Sequence, residues 1–245
     1  MVLCIACSQS DRQVVFEEDA SSPNIVLILA DDLGYGDTGP YGQTLIKTPS
    51  LDELAADGLV FTQHYAGSTV CAPSRASLMT GMHTGRVQIR GNYELGGFYD
   101  EHEFGQMPLA DEALTVAEVL KDAGYATGLI GKWGMGGPGS EGVPNRQGFD
   151  YFFGYLDQKQ AHNYYPTHLW RNEEWFGLDN EFFVPHARKY GGSEHASDYR
   201  DYMGEDYVPY LMLEEAKSFI RDNSDSPFFL YYSSPIPRCR FPTRN

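Results

Sequence analysis

The sequence is poor in basic residues and in cysteine. Eighteen lysines and arginines stand against 34 aspartates and glutamates, which gives a formal net charge of −16. So few cations argue against nucleic-acid binding, because nucleic-acid phosphates require a basic face. The four cysteines, Cys4, Cys7, Cys71 and Cys239, show no disulfide framework. The sequence also predicts no transmembrane helix, since it has no apolar run of the necessary length.

The first 22 residues differ in character from the rest of the chain. A short apolar run precedes Cys7, and this order is similar to the processing site of bacterial lipoproteins. We interpret residues 1–22 as the remnant of an export signal followed by an acidic linker. This predicts an exported protein, periplasmic or on the outer surface, with a lipid anchor at Cys7. The alternative is an ordinary N-terminal tail.

Strand-like and helix-like segments alternate over the remaining residues, 23–245. Apolar runs of strand length are followed by segments with helix start and stop signals, such as the pairs Ser50–Glu53 and Thr115–Glu118. This order predicts an α/β fold with a mixed, mostly parallel sheet flanked by helices. The predicted strands are residues 24–30, 59–62, 125–130 and 227–233, and residues 147–155 are predicted to form a strand and a turn. The predicted helices are residues 48–58, 73–81, 115–123 and 208–221, and residues 164–204 are predicted to be loop-like.

Two adjacent carboxylates, Asp31 and Asp32, follow the first predicted strand, which we expect to be fully buried. Carboxylates at the end of a buried strand need compensation, and ligands of open α/β sheets bind outside the carboxyl ends of strands. Ligation by oxygen alone favours Ca²⁺, with Mg²⁺ as the second choice. The alternative is an acidic turn that ends the strand.

A lone cysteine precedes a predicted helix in the segment Cys71-Ala72-Pro73-Ser74-Arg75. Proline suits the first position of a helix, so Pro73 predicts that the helix begins there. A group just before it would face unpaired backbone N–H groups and the positive end of the helix dipole, where an anion is favoured. Arg75 adds a positive charge. The alternative is a buried structural cysteine.

Two further residues are candidates for the same site. Lys132 follows the predicted strand at residues 125–130 and therefore belongs to the same edge of the sheet as Asp31. His162 lies in the segment Ala161-His162-Asn163-Tyr164-Tyr165-Pro166, next to the aromatic-rich residues 164–204. The alternatives are a solvated lysine at the start of a loop and an ordinary surface or core histidine.

Three of these motifs together resemble the signature of the sulfatase family. They are residues 71–75 with Thr80 and Gly81 behind them, the pair Asp31-Asp32 after an apolar strand, and Gly131-Lys132-Trp133, and they occur in the family's order. The resemblance covers roughly residues 23–237. It implies an alkaline phosphatase-like fold and identifies residues 23–245 as the N-terminal part of a sulfatase catalytic domain, truncated at the C-terminus.

The resemblance also implies a chemistry for these residues. Cys71 would be oxidised by a formylglycine-generating enzyme to formylglycine, whose hydrate is the nucleophile that attacks a sulfate ester. Asp31, Asp32 and the modified Cys71 would bind Ca²⁺, Arg75 would hold the hydrate, and Lys132 would bind the sulfate oxygens. The implied substrate is a sulfated small molecule or carbohydrate, and His162 is the candidate residue for binding it.

The sequence departs mildly from the family's pattern at Met79, where the family has leucine, and departs from it at two further places. Gly134 and Arg238 stand where the family has histidines that contact the hydrate or the substrate. Two alternatives to a sulfatase therefore stay open. One is a phosphate or phosphonate monoester hydrolase of the same superfamily, and the other is a non-catalytic remnant that binds anions.

Overall fold

The fold is seen in a computed structural model that describes residues 22–95, 98–99, 102–103, 105–182 and 203–237. Several predictions concern residues beyond these ranges. The export signal, the lipid anchor at Cys7 and the substitution at Arg238 all lie outside the described residues.

A six-stranded sheet forms the centre of the fold. In chain order the strands are β1 Ile25–Asp31, β2 Phe98–Tyr99, β3 His102–Glu103, β4 Ala126–Lys132, β5 Tyr151–Tyr155, β6 His168–Arg171, β7 Glu174–Gly177 and β8 Phe228–Pro237. The sheet order is β1-β8-β4-β5-β6-β7, and β2 pairs with β3 in a separate hairpin. The first four strands of this order are parallel, while β6 and β7 are antiparallel. The predicted mixed, mostly parallel sheet is confirmed.

Helices cover both faces of this sheet. The α-helices of the described segments are α1 Pro49–Asp57, α2 Cys71–Thr80, α3 Val116–Asp122 and α4 Val208–Asp222, of which α2 and α3 pack on one face of the sheet and α4 packs on the other. Consecutive strand residues point to opposite faces, so Leu129 packs in a core with α2 and α3, while Ile130 packs in a second core with α4. None of the helices in the described segments is both long enough and apolar enough to span a bilayer.

Helix starts follow the sequence signals in one case and depart from them in another. The predicted capping box of α3 is confirmed: the Thr115 backbone N–H donates to Glu118 Oε2 at 2.7 Å, and the Glu118 N–H donates to Thr115 Oγ1 at 3.2 Å. The predicted cap at Ser50 is wrong, because α1 begins at Pro49 with Thr48 as its N-cap. Proline at the first helical position fits, since the N–H group that it lacks would have no partner there.

Three predictions about strands need correction. β1 is not fully buried: it is an edge strand of the described sheet, and Ile28 is 65% exposed because α4 packs against β8, β4 and β5. Residues 59–62 form no strand, since no neighbouring strand pairs with them. The predicted loop at 164–204 contains the hairpin β6–β7, whose tryptophans, Trp170 and Trp175, face each other across the two strands.

Candidate active site

Three residues that the sequence singles out meet at the carboxyl edge of the parallel strands. Asp31 is the last residue of β1, Lys132 is the last residue of β4, and Cys71 is the first residue of α2. Lys132 Nζ lies 2.9 Å from Asp31 Oδ2 and 3.4 Å from Cys71 Sγ. The structure therefore brings a cation, a carboxylate and a thiol within contact of one another.

Local sequence explains how α2 presents Cys71. The helix begins at Cys71 itself, two residues before the predicted start, so Pro73 is its third residue. Pro73 still suits this place, because backbone N–H groups of a first helical turn have no partner within the helix. The backbone N–H of Ala72 donates to Asn92 Oδ1 at 3.0 Å. The helix ends before Gly81, whose φ of 67° is the left-handed conformation typical of a glycine that ends a helix.

Arg75 joins three strands beneath this site. Its side chain is buried, and its Nη1 donates to the backbone carbonyl oxygen of Lys132 at 2.7 Å and to the hydroxyl oxygen of Ser233 in β8. Its Nη2 lies 3.4 Å from Asp31 Oδ1 in β1. The Ser233 hydroxyl also donates to the Lys132 carbonyl oxygen at 2.7 Å. The guanidinium group therefore links the ends of β1 and β4 to the middle of β8.

Burial determines the electrostatics of Lys132. Its side chain has no exposed surface. Desolvation and the neighbouring Arg75 lower the pKa of Lys132, while Asp31 and Cys71 act in the opposite direction. Each Asp31 carboxylate oxygen faces one of the two cations, at 2.9 and 3.4 Å. Such a buried ionic group is sensitive to the loss of any member, because the remaining charges would be left uncompensated.

Asp32 adopts an unusual backbone conformation at the edge of the site. Its φ is 60°, in the left-handed region that residues with a side chain seldom adopt, and its side chain is exposed. Backbone strain of this kind concentrates at functional sites. This left-handed residue lies directly after β1, where the chain leaves the sheet.

The donor set suits a calcium ion only in part. Carboxylate oxygens of Asp31 and Asp32 are the hard ligands that Ca²⁺ prefers, but this ion takes six to eight oxygens. Within the described ranges, no group of three or more His, Cys, Asp or Glu residues is arranged to hold a metal ion. In addition, the Asp31 carboxylate already contacts Lys132 and Arg75. These residues would therefore supply a fraction of a calcium site.

Gly134 and His162 lie further along the same edge of the sheet. The backbone N–H of Gly134 donates to the Leu156 carbonyl oxygen at 3.0 Å, and its φ is 84°. A Cβ atom at this position would lie 3.3 Å from Gln158 Cβ and Oε1, so Gln158 occupies the space that a side chain at 134 would need. His162 is half-buried in a short 3₁₀ helix, Gln160–His162, that follows β5.

A buried polar cluster that the sequence reasoning missed lies beside β5. Glu103 Oε2 lies 3.1 Å from His168 Nε2 and accepts from Trp170 Nε1 at 2.7 Å, while Glu103 Oε1 accepts from the Asp157 backbone N–H at 2.7 Å. Asp157 is buried, and burial together with the nearby charge of Glu103 raises its pKa to about 6. No local sequence signal indicates this cluster, because Glu103 lies more than 50 residues before Asp157 and His168.

Asp157→Asn is expected to remove a pH dependence of stability. The ordinary pKa of 3.8 rises to about 6 in the fold, so native Asp157 binds its proton more tightly than the unfolded chain does. Its contribution to stability therefore falls by about 2 kcal/mol as pH rises from about 4 to about 6. Urea unfolding at both ends of this range should show the variant gaining that amount relative to the wild type. Parallel pH profiles would contradict the assignment.

The chain is thus an α/β domain with an anion-directed site, formed by a buried lysine and a helix N-terminus at the carboxyl edge of its sheet. A family model described as Sulfatase matches residues 23–236. The chain belongs to the sulfatase family.

Curated relatives support this membership. The chain is 50% identical to human arylsulfatase A over 137 residues, which cover 55% of this chain and 25% of that protein. It is 34% identical to an arylsulfatase of Hemicentrotus pulcherrimus over 220 residues, which cover 85% of this chain and 36% of that protein. It is 33% identical to the N-acetylgalactosamine-6-sulfatase of Rattus norvegicus over 234 residues, which cover 86% of this chain and 38% of that protein. The chain therefore spans about a quarter to two fifths of these relatives.

Solved structures show the same fold. One is BT33336S-sulf, from glycosaminoglycan metabolism in Bacteroides thetaiotaomicron, with a TM-score of 0.69, 28% identity, and coverage of 90% of this chain and 52% of that one. Another is Ps i-CgsB in complex with k-i-k-neocarrahexaose, with a TM-score of 0.66 and 27% identity. This match covers 91% of this chain and 47% of that one. The chain spans about half of these structures, and the predicted alkaline phosphatase-like fold is confirmed.

Proposed function

We propose that this chain carries the core of a sulfatase active site and acts in the hydrolysis of sulfate esters. One observation carries the proposal: the Lys132 ammonium group is buried within 3.4 Å of Cys71 Sγ, at the N-terminus of α2. A sulfate group held there would face a fixed positive charge and the positive end of the α2 helix dipole. Preorganised charges of this kind stabilise negative charge that develops in a transition state.

The chain's own residues divide the work between binding and positioning. Lys132 binds the sulfate oxygens, and Arg75 holds Asp31 and the Lys132 backbone in place through the contacts described above. If Cys71 is oxidised to formylglycine by a formylglycine-generating enzyme, it supplies a hydrated aldehyde as nucleophile. A Ca²⁺ ion on Asp31 and Asp32 would supply Lewis-acid polarisation of a sulfate oxygen. His162 stays a prediction as a substrate-binding residue.

Sulfated carbohydrates are the substrate class that we propose. One relative is named N-acetylgalactosamine-6-sulfatase, and one structural neighbour is a complex with k-i-k-neocarrahexaose. The division into residues 1–22 and 23–245 and the export of the protein with a lipid anchor at Cys7 also stay predictions.

Lys132→Met should test the role of the buried ammonium group. We expect kcat/KM for an aryl sulfate to fall by about 10²–10³-fold, as for loss of one donor to a developing anion. The affinity for inorganic sulfate should fall as well. The matched control is Lys121→Met, since Lys121 forms a half-exposed ion pair with Asp150 at the other edge of the sheet. Equal effects of the two substitutions would contradict the proposed role.

Hydrolysis assays also distinguish a sulfatase from the two alternatives, a phosphate or phosphonate monoester hydrolase and a non-catalytic protein that binds anions. The chain, produced together with a formylglycine-generating enzyme, is offered an aryl sulfate and the matching aryl phosphate. Faster turnover of the phosphate would indicate a phosphate monoester hydrolase. Inorganic sulfate binding that depends on Lys132, without turnover of either ester, would indicate a non-catalytic protein that binds anions.

A further inference from the structure

Four tyrosines gather where the segment after β5 meets the start of α4. Tyr164, Tyr165 and Tyr210 all pack around Tyr207, with ring centroids 6.2, 5.3 and 5.0 Å from that of Tyr207. The backbone N–H of Val208 donates to the Tyr164 carbonyl oxygen at 3.0 Å and joins the two segments. We name these four residues the tyrosine cluster.

Two chains of contacts connect the tyrosine cluster with the candidate active site. The Tyr164 hydroxyl donates to the Pro235 carbonyl oxygen at 3.4 Å, and Pro235 lies two residues beyond Ser233, or roughly 7 Å along an extended strand. The Tyr155 hydroxyl donates to the Asn163 carbonyl oxygen at 2.7 Å, and Tyr155 is the β-sheet partner of Lys132. The cluster therefore lies at the carboxyl edge, next to the site and outside it.

The cluster offers aromatic surface to solvent. Tyr210 is 70% exposed, and the other three side chains are half-buried. Tyrosine provides a rigid apolar face and a hydroxyl group at a small entropic cost, which suits a ligand that has both apolar and polar surface. Burial raises the pKa of Tyr165 and of Tyr207, so these phenols keep their protons and can donate hydrogen bonds.

The charges around the cluster restrict what it can bind. Glu205 and Asp206 directly precede Tyr207, and the Asp206 carboxylate accepts the backbone N–H of Asp179 at 2.8 Å. Adjacent carboxylates disfavour a second sulfate group here, because like charges repel. A neutral sugar ring carries no charge that these carboxylates would repel. Its C–H face can stack on aromatic rings, and its hydroxyl groups can form hydrogen bonds.

We propose that the tyrosine cluster binds the neutral sugar ring attached to the sulfated ring of an oligosaccharide substrate. The proposal rests on the proposed function, and it narrows the substrate from sulfated carbohydrates in general to sulfated saccharides of at least two rings. Binding energy from this second ring would hold the sulfate group against Lys132, because remote contacts of a substrate can orient its reacting centre.

Affinity measurements on Tyr210 variants test the proposal. The chain with Cys71→Ala, chosen to prevent turnover, is titrated calorimetrically with a disaccharide of sulfated N-acetylhexosamine and a neutral hexose, and separately with inorganic sulfate. Tyr210→Leu should weaken disaccharide binding by about threefold to tenfold, whereas Tyr210→Phe, which keeps the ring, should retain most of the affinity. Neither substitution should change the affinity for inorganic sulfate. Tyr125→Leu, at the opposite edge of the sheet, is the control and should change neither affinity.

The other outcomes of these titrations test the tyrosine cluster and the proposed function separately. Unchanged disaccharide affinity in Tyr210→Leu, or equal weakening for inorganic sulfate, would overturn the assignment of the cluster. Absence of disaccharide binding would overturn it too. Inorganic sulfate binding that does not respond to Lys132→Met would contradict the proposed function instead. Selective weakening of disaccharide binding by Tyr210→Leu would support the cluster even in that case.

Discussion

Cys71→Ala is expected to lower kcat/KM for an aryl sulfate by roughly 10⁴–10⁶-fold, the loss typical of removing a nucleophile. Alanine has no group that can attack sulfur or be converted to an aldehyde. The measurement is hydrolysis of the ester by chain produced with a formylglycine-generating enzyme. Peptide mass spectrometry on the wild type should find Cys71 with its thiol replaced by an aldehyde.

Two further variants sharpen this experiment. In Cys71→Ser, the serine oxygen could attack sulfur and release the alcohol together with a proton, but no aldehyde could form to expel the sulfate. We therefore expect a stable sulfate ester on residue 71, visible by mass. Leu78→Ala, a partly exposed position of the same helix α2, is the control for folding and should keep most of the activity. Full activity in Cys71→Ala would refute the role of Cys71 as nucleophile.

Arg75→Ala is expected to lower the free energy of unfolding by about 3–5 kcal/mol. The substitution leaves Asp31 with one cation fewer and removes a donor from the Lys132 carbonyl oxygen, inside a buried group of charges. Arg75→Lys should recover little of the loss, because an ammonium group cannot reproduce the planar fork that contacts Asp31, Lys132 and Ser233 together. Urea unfolding monitored by tryptophan fluorescence measures both variants.

Arg146→Ala provides the matched control for Arg75. Arg146 pairs with Glu173 at 3.4 Å, and both side chains are nearly half-exposed. Exposed ion pairs contribute about 0–1 kcal/mol, so this variant should unfold close to the wild type. A loss of only about 0–1 kcal/mol in Arg75→Ala would show that the guanidinium group does not hold β1, β4 and β8 together.

The sequence predicts the parts of the site that follow from strand ends. Asp31 and Lys132 each end a strand, and parallel strands bring their carboxyl ends to one edge of the sheet, so their meeting could be expected. The helix at Cys71 is equally local: Gly81 marks its end, and Pro73 predicts its start to within two residues. These inferences need only the apolar pattern of the strands and the residues that begin and end the helix.

Contacts between distant segments could not be predicted in this way. Ser233 was part of a predicted strand, but nothing in its neighbourhood indicated that its hydroxyl would meet Arg75. The pairing of Glu103 with Asp157 and His168 joins segments more than 50 residues apart, and its residue types are common on surfaces. The exposure of Ile28 depends on which strands and helices lie beside β1, which an apolar run does not specify.

Arg75 is synthesised long before Ser233, the residue that it contacts in the folded protein. The two residues are 158 positions apart, which corresponds to roughly 8–30 s at the rate at which ribosomes add residues. Throughout this interval α2 has been made but β8 has not, so the strand that lies between β1 and β4 is missing. Any modification of Cys71 that requires an unenclosed chain has this interval in which to occur.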